Sequence, residues 1–368
     1  MRILYDHQVF SLQDAGGASR YFFELASYMS RTPDVQTEVL MGINANLYPF
    51  RELDASRTRV TELPSWLRPG TLRYVVNEAW SNIKAATLGK FDVYHPTTYL
   101  KMPMVRAHRV IATHNECTHE KFPELFPDRW KVIRSRRWLF SSVDAIICCS
   151  ESTRADLLRF YNVDPAKTRV IYDAFTPLPR STEAAATIRQ KMRRDYVLYV
   201  GMRAAFKNFN ALLQALHDAQ LAGSVDLLVL GGGELTSEQK ALIHSLGLGN
   251  SVVSMAKVSD EILAEAYAGA RLFVYPSLSE GFGIPPLEAM SLGCPVLASR
   301  GGSIPEVCGD APFYFDAEDQ GSFARELLRA LQDEPAREQA VRSGKRVVTR
   351  YSWDKCGEQT LALYRECQ

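Results

Sequence analysis

Short apolar runs recur along the chain, and each is followed by a longer stretch in which apolar residues return every three or four positions. Runs of that kind bounded by Gly, Pro or Asp predict buried strands, and the longer periodic stretches predict the helices between them. In the first half the predicted strands are Arg2–Tyr5, Thr37–Met41, Val93–His95, Arg109–Thr113, Ala145–Cys149 and Arg169–Tyr172. The second half repeats the pattern with Tyr196–Val200, Val225–Leu230, Val252–Met255, Leu272–Tyr275, Pro295–Ala298 and Pro312–Phe315. Regular alternation of strand and helix builds a parallel sheet covered on both faces, so the predicted class is α/β, doubly wound, and present twice. Between the halves, Thr176-Pro177-Leu178-Pro179-Arg180-Ser181-Thr182 is proline-rich and polar and reads as a linker. The expected organisation is therefore a domain over 1–176, a second over 177–350, and a closing helix over 351–368 that opens with Tyr351-Ser352-Trp353 and crosses back to the first domain.

The length of 368 residues agrees with two such domains. With 43 basic and 42 acidic residues the formal charge is +1, which supplies no general field for nucleic acid, so no nucleic-acid partner is expected and any phosphate recognition must be local. Seven cysteines show no two-residue spacing of a zinc or redox pair. Met1-Arg2-Ile3-Leu4-Tyr5-Asp6 reads as a strand and not as a signal peptide, and no uncharged apolar run approaches the ~18 residues of a membrane span. The expected location is the cytoplasm.

The segment Ser279-Glu280-Gly281-Phe282-Gly283-Ile284-Pro285-Pro286-Leu287-Glu288 carries the most chemistry. It follows a predicted strand, its glycines permit a tight turn, and its prolines set the start of a helix. That reading leaves Glu280 on the loop and puts Glu288 in the first helical turn, at the carboxyl edge of a sheet where ligands of open α/β folds bind. Arg203 and Lys207 follow another strand, and two cations near a helix start oppose the helix dipole unless an anion sits with them. Gly16 and Gly17 precede a helical segment and read equally as a phosphate-holding loop or a plain cap. His114 lies just beyond a strand, as does His95, and a hydrogen-bonded structural role stays open for both. With no Asp-x-Asp element and no His-x-x-x-His pair, neither a metal nor a cofactor is expected.

Taken in order, Gly16-Gly17-Ala18-Ser19-Arg20, His114, Ser150-Glu151-Ser152-Thr153-Arg154, Arg203 with Lys207, Glu280 through Glu288, Ser303-Ile304-Pro305-Glu306-Val307 and Tyr351-Ser352-Trp353 resemble the retaining glycosyltransferases of family 4. The resemblance spans nearly the whole chain. It implies the GT-B architecture, two Rossmann-like domains with parallel sheets facing across a cleft, the first binding acceptor and the second a nucleotide sugar. It further implies that Glu288 holds the donor ribose, that Glu280 lies by the donor sugar with backbone N–H groups of Phe282 and Gly283 nearby, and that Arg203 and Lys207 meet the diphosphate. Gly16 and Gly17 then match a loop closing over that diphosphate, and His114 a histidine facing the reacting sugar. The chain departs from the common pattern at His114-Asn115, where many members carry His-Asp, and at Tyr172-Asp173-Ala174, where many read Tyr-His-Gly.

Ser19-Arg20-Tyr21-Phe22 and His95-Pro96-Thr97 are most similar to bacterial mannosyl and rhamnosyl transferases of surface-polysaccharide assembly. That similarity implies a metal-independent hexosyl transfer from GDP-mannose to a saccharide or lipid-linked saccharide. An epimerase of the same architecture and a non-catalytic sugar-nucleotide binder share these residues and remain alternatives. Arg129–Trp138 mixes cations and aromatics; its cations spread around the helical wheel, which predicts a solvated helix packing through Trp and Ile, with docking at the inner face of a membrane as the second reading.

Overall fold

The computed structural model describes residues 1–44, 46–64, 71–99 and 105–367. They form two units, Met1–Ala174 with Ser352–Gln368, and Phe175–Tyr351. Each is a Rossmann-like domain with one parallel sheet.

In the first unit, β1 (Arg2–Tyr5), β2 (Gln36–Ile43), β3 (Thr58–Leu63), β4 (Lys90–His95), β5 (Arg106–His114), β6 (Ala145–Cys148) and β7 (Thr168–Val170) lie in the order β3-β2-β1-β4-β5-β6-β7. In the second, β8 (Tyr196–Val200), β9 (Asp226–Leu230), β10 (Val252–Met255), β11 (Leu272–Tyr275), β12 (Val296–Ser299) and β13 (Phe313–Phe315) lie in the order β10-β9-β8-β11-β12-β13. All twelve predicted strands are present. β3 is an addition: Thr58-Arg59-Val60-Thr61-Glu62-Leu63 is an edge strand with mostly half-exposed positions, so it lacks the apolar run by which the central strands are recognised.

In both sheets the strand order reverses at the first strand of the unit. The switch points fall between β1 and β4 and between β8 and β11. Because the strands are parallel, their carboxyl ends share one edge, and the switch point opens a crevice there.

The core of the first unit joins Ile3, Tyr5, Phe22, Leu25, Val39, Ile111 and Ile147 to Leu361, Leu363 and Tyr364 of the closing helix Trp353–Glu366. That helix approaches the helix Gly17–Ser30 at Gly357, where a Cβ would stand 2.3 Å from Tyr28 Cγ. Tyr364 reaches the sheet, its hydroxyl 2.5 Å from His95 Nδ1. In the second unit Val197, Leu212, Leu213, Leu227, Val274, Leu297, Phe315 and Phe323 form the core.

Candidate functional site

At the second switch point β8 ends at Val200 and leads into the turn Ala205–Lys207, while β11 ends at Tyr275 and leads into the loop that precedes the helix Ile284–Ser291. These neighbouring exits are joined by the Leu278 N–H, which donates to the Phe206 carbonyl at 2.8 Å. Across the same join Lys207 Nζ lies 2.6 Å from Glu280 Oε1, with the two side chains only 21% and 11% exposed. Partial removal from water strengthens such a pair relative to a surface ion pair. Tyr275, buried beneath the loop, hydrogen-bonds Glu280, and burial together with that carboxylate pushes its own ionisation well above the ordinary range.

The loop carrying Glu280 is clamped by the exit from β12. The Ser303 N–H and Oγ donate to the Glu280 carbonyl at 3.1 and 3.2 Å, Ser303 Oγ also donates to the Phe282 carbonyl at 3.0 Å, and Ser299 Oγ donates to the Ser277 carbonyl. Close approach is what Gly301 and Gly302 allow. A Cβ on Gly301 would stand 2.5 Å from the Ser277 and Leu278 carbonyl oxygens, and one on Gly302 would stand 2.4 Å from that of Glu280. In the sequence the only sign of this clamp is the pair of adjacent glycines just after the strand Val296–Ser299.

The helix Ile284–Ser291 is entered through Gly283 at φ +94°, a left-handed conformation that favours glycine. It begins one residue before Pro285, so Glu288 stands in the second turn and not in the first, a correction to the sequence expectation. Pro285 and Pro286 remove two of the N–H groups a helix start offers, leaving those of Gly283 and Ile284. Glu288 is 8% exposed, and its Oε2 accepts from the Tyr267 hydroxyl at 3.3 Å. Phe282 is buried edge-on against Tyr351, with ring centroids 5.3 Å apart.

Arg203 and Lys207 do not form one open basic pair. Arg203 Nε donates to Gln239 Oε1 at 3.1 Å, Nη1 to the Gly231 carbonyl at 2.7 Å, and Nη2 to those of Gly232, Gly233 and Glu234 at 3.1, 2.8 and 2.9 Å. The guanidinium thus organises the glycine turn that leaves β9, where Gly231, Gly232 and Gly233 all have positive φ. A network of neutral carbonyls holds the cation where a more strongly accepting anion can compete for it.

In the first unit Gly16 and Gly17 open the helix Gly17–Ser30, as expected of a helix start. The Gly16 carbonyl accepts from the Tyr48 hydroxyl at 3.2 Å and from the Arg20 N–H at 2.9 Å, whereas Gly17 has no other group within 4 Å of the place a Cβ would occupy. The preceding turn is pinned by the buried Arg73, which donates to the Ser11 and Phe10 carbonyls at 2.9 and 2.8 Å and to Asp14 at 2.9 Å.

His114 closes β5 and is almost completely buried. Its Nε2 lies 3.1 Å from Cys117 Sγ, and its Nδ1 has no hydrogen-bond partner. Burial, assisted by the nearby Arg136 charge, holds its pKa well below the usual histidine range, so the ring is neutral at pH 7. His95 is likewise held down, to about 3, by burial, and is spent between Tyr364 and Thr113 Oγ1, the latter at 2.9 Å. Asp173, at the point where the motif departs from Tyr-His-Gly, has a carboxyl pushed up to about 7 by burial.

Two family profiles match the chain. The one described as "Glycosyltransferase Family 4" covers residues 15–175, and the one described as "Glycosyl transferases group 1" covers residues 181–347. Among curated proteins the chain is similar to the O-antigen chain mannosyltransferase B of Escherichia coli, 32% identical over 284 residues that make up 74% of each chain. It is also similar to the MMP alpha-(1->4)-mannosyltransferase of Mycolicibacterium hassiacum, 26% identical over 306 residues covering 78% of this chain and 73% of that protein. Among solved structures it resembles the sucrose-phosphate synthase of Thermosynechococcus elongatus with a TM-score of 0.79 at 20% identity, covering 99% of this chain and 98% of that one. That last likeness speaks for the GT-B fold alone.

Proposed function

The chain belongs to the group 1, family 4 glycosyltransferases, and on that footing we propose that it moves a mannosyl residue, with retention, from GDP-mannose to a saccharide or lipid-linked saccharide acceptor in surface-polysaccharide synthesis. The two curated relatives differ in acceptor by name but share mannosyl transfer, which favours mannose as the donor sugar. The observation that carries the reading is the Lys207–Glu280 pair, held at the switch point of the second sheet by backbone bonds from two neighbouring loops. A cation and a carboxylate fixed there suit the two halves of a sugar diphosphate.

In this reading Lys207 meets the charge that grows on the leaving diphosphate as the anomeric C–O bond breaks, which is where electrostatic stabilisation counts most. Arg203 exchanges the carbonyls of the glycine turn for phosphate oxygens, a gain because hydrogen bonds between charged partners are stronger. Backbone N–H groups of Phe282 and Gly283 add uncharged donors. Glu288 accepts from the ribose hydroxyls, with Tyr267 fixing the carboxylate. Glu280 orients the sugar, and the departing diphosphate oxygen takes the acceptor's proton on the same face, which preserves configuration. Within the second unit the diphosphate charge is met by Lys207, Arg203 and these N–H groups without a metal, while Gly16, Gly17 and the buried, neutral His114 belong to the first unit.

Nucleotide binding tests the donor. A ligand that binds only the folded state at about 100 times its dissociation constant adds about 2.7 kcal/mol of stability, so GDP is expected to raise the Tm clearly above the effect of UDP or ADP. Stabilisation by UDP alone would overturn the choice of GDP-mannose.

A further inference from the structure

The helix Arg129–Ser142 sorts its residues in a way the sequence wheel does not reveal. Two of its cations are turned inward and spent: Arg129 Nη1 donates to the Pro123 carbonyl at 3.0 Å, and Arg136, 1% exposed, donates through Nη1 to Glu120 at 2.9 Å and through Nη2 to Glu116 at 3.3 Å. With these removed the remaining cations no longer encircle the helix. Lys131, Arg134 and Arg137 are exposed, together with Trp130, Trp138, Ser141 and Ser142, and positions 130, 134, 137, 138 and 141 follow the three-and-four spacing of a single face. Leu139 and Phe140 point the other way, into the core that includes Ile146 and Leu157. The expected packing through Trp and Ile holds for Ile133 and not for the tryptophans: Trp130 is 56% and Trp138 47% exposed.

We propose that this face docks the protein on an anionic lipid bilayer. Two exposed tryptophans interleaved with three exposed cations on one helix match the headgroup layer, where an indole is half apolar and half wet and a phosphate-rich surface attracts Lys and Arg. Among the described residues the only ion pair made by these three cations is the exposed one of Lys131 with Asp128 at 3.1 Å. Arg134 and Arg137 present their charge to solvent. The chain as a whole carries a formal charge of only +1, so this stripe is a local feature and not part of a general attraction to polyanions. Leu125, 36% exposed shortly before the helix, adds an apolar group on its approach. A lipid-linked acceptor would be met at such a surface; docking itself is independent of the donor, so vesicle binding and nucleotide binding can fail separately.

The test is partitioning of the full chain onto phosphatidylcholine vesicles with and without phosphatidylglycerol, at low and high salt. Binding is expected only with phosphatidylglycerol, and is expected to fall as salt rises. The variant Lys131→Glu/Arg134→Glu/Arg137→Glu is expected to lose roughly 100-fold in partitioning. Trp130→Ser/Trp138→Ser is expected to lose roughly tenfold and the blue shift of tryptophan fluorescence on vesicles. All five side chains are exposed, so both variants should keep the Tm and the donor hydrolysis rate of the parent. If the triple variant fails to fold, the tryptophan variant decides. Absence of parental binding to anionic vesicles at low salt, vesicle binding undiminished in the variants, or binding to RNA without binding to vesicles would each overturn the proposal.

Discussion

Lys207 and Glu280 stand 73 positions apart in the chain and meet only because β8 and β11 are neighbours at a switch point. Their roles separate kinetically from that of Glu288. Charge-assisted hydrogen bonds are worth about 1.5–3 kcal/mol, so Glu288→Ala is expected to raise KM for the donor by roughly 10- to 100-fold with little change in kcat. Lys207→Ala is expected to lower kcat by roughly 100-fold or more, because its proposed role is to meet charge that appears in the transition state. An unchanged kcat in Lys207→Ala would remove the lysine from the reaction. Asp173 makes a separate claim about pH. Its carboxyl titrates near 7 in the folded protein and near 4 when unfolded. Between those values the folded state holds a proton the unfolded chain has released, so stability falls as pH rises through the window. Asp173→Asn imitates the protonated form, and its stability advantage over the parent is expected to grow from pH 4 to 7 and then level off. Denaturation curves across that range check it, and a difference independent of pH would contradict the assignment.

At the scale of elements, the site depends on one loop clamping another. Gly302 has φ +62° and no room for a Cβ against the Glu280 carbonyl, so Gly302→Ala combines left-handed strain of about 1–2 kcal/mol with a displacement of the loop that carries Glu280. Its expected signature is a lowered Tm joined to weakened donor binding; a variant that binds nucleotide like the parent would show that the clamp does not position the loop. What was legible at this scale follows from how strands announce themselves. Buried strands such as Tyr196–Val200 are continuous apolar runs, so the sheets and the loops at their carboxyl ends could be read directly. The edge strand Thr58–Leu63 has half-exposed positions and no such run. The helix Arg129–Ser142 could be recognised but not oriented, because the partners that turn Arg136 inward, Glu116 and Glu120, belong to another part of the chain. Pro285 and Pro286 predict a helix start at Pro285, whereas Gly283 supplies the entry and the helix begins at Ile284.

For the whole molecule, two repeats of strand and helix predicted two α/β domains, and each unit is built on its own parallel sheet and core. The closing helix belongs to the first unit through Leu361, Leu363 and Tyr364, a long-range assignment that its own amphipathic pattern could suggest but not specify. Hydrogen-bond commitments were the least legible part: nothing in the spacing of Arg203 and Lys207 distinguishes a guanidinium spent on carbonyls from an ammonium spent on a carboxylate. The proposed reaction is activation of a GDP-linked mannosyl donor at the second unit's switch point. Acceptor-free hydrolysis tests it most directly, by incubating the full chain in EDTA with GDP-mannose and, separately, with UDP-, dTDP- and ADP-sugars, and measuring nucleotide release. Slow release of GDP from GDP-mannose alone, reduced by Lys207→Ala, is the expected result. Hydrolysis of a UDP-sugar with GDP-mannose left intact, or release of GDP at the parental rate by Lys207→Ala, would contradict it.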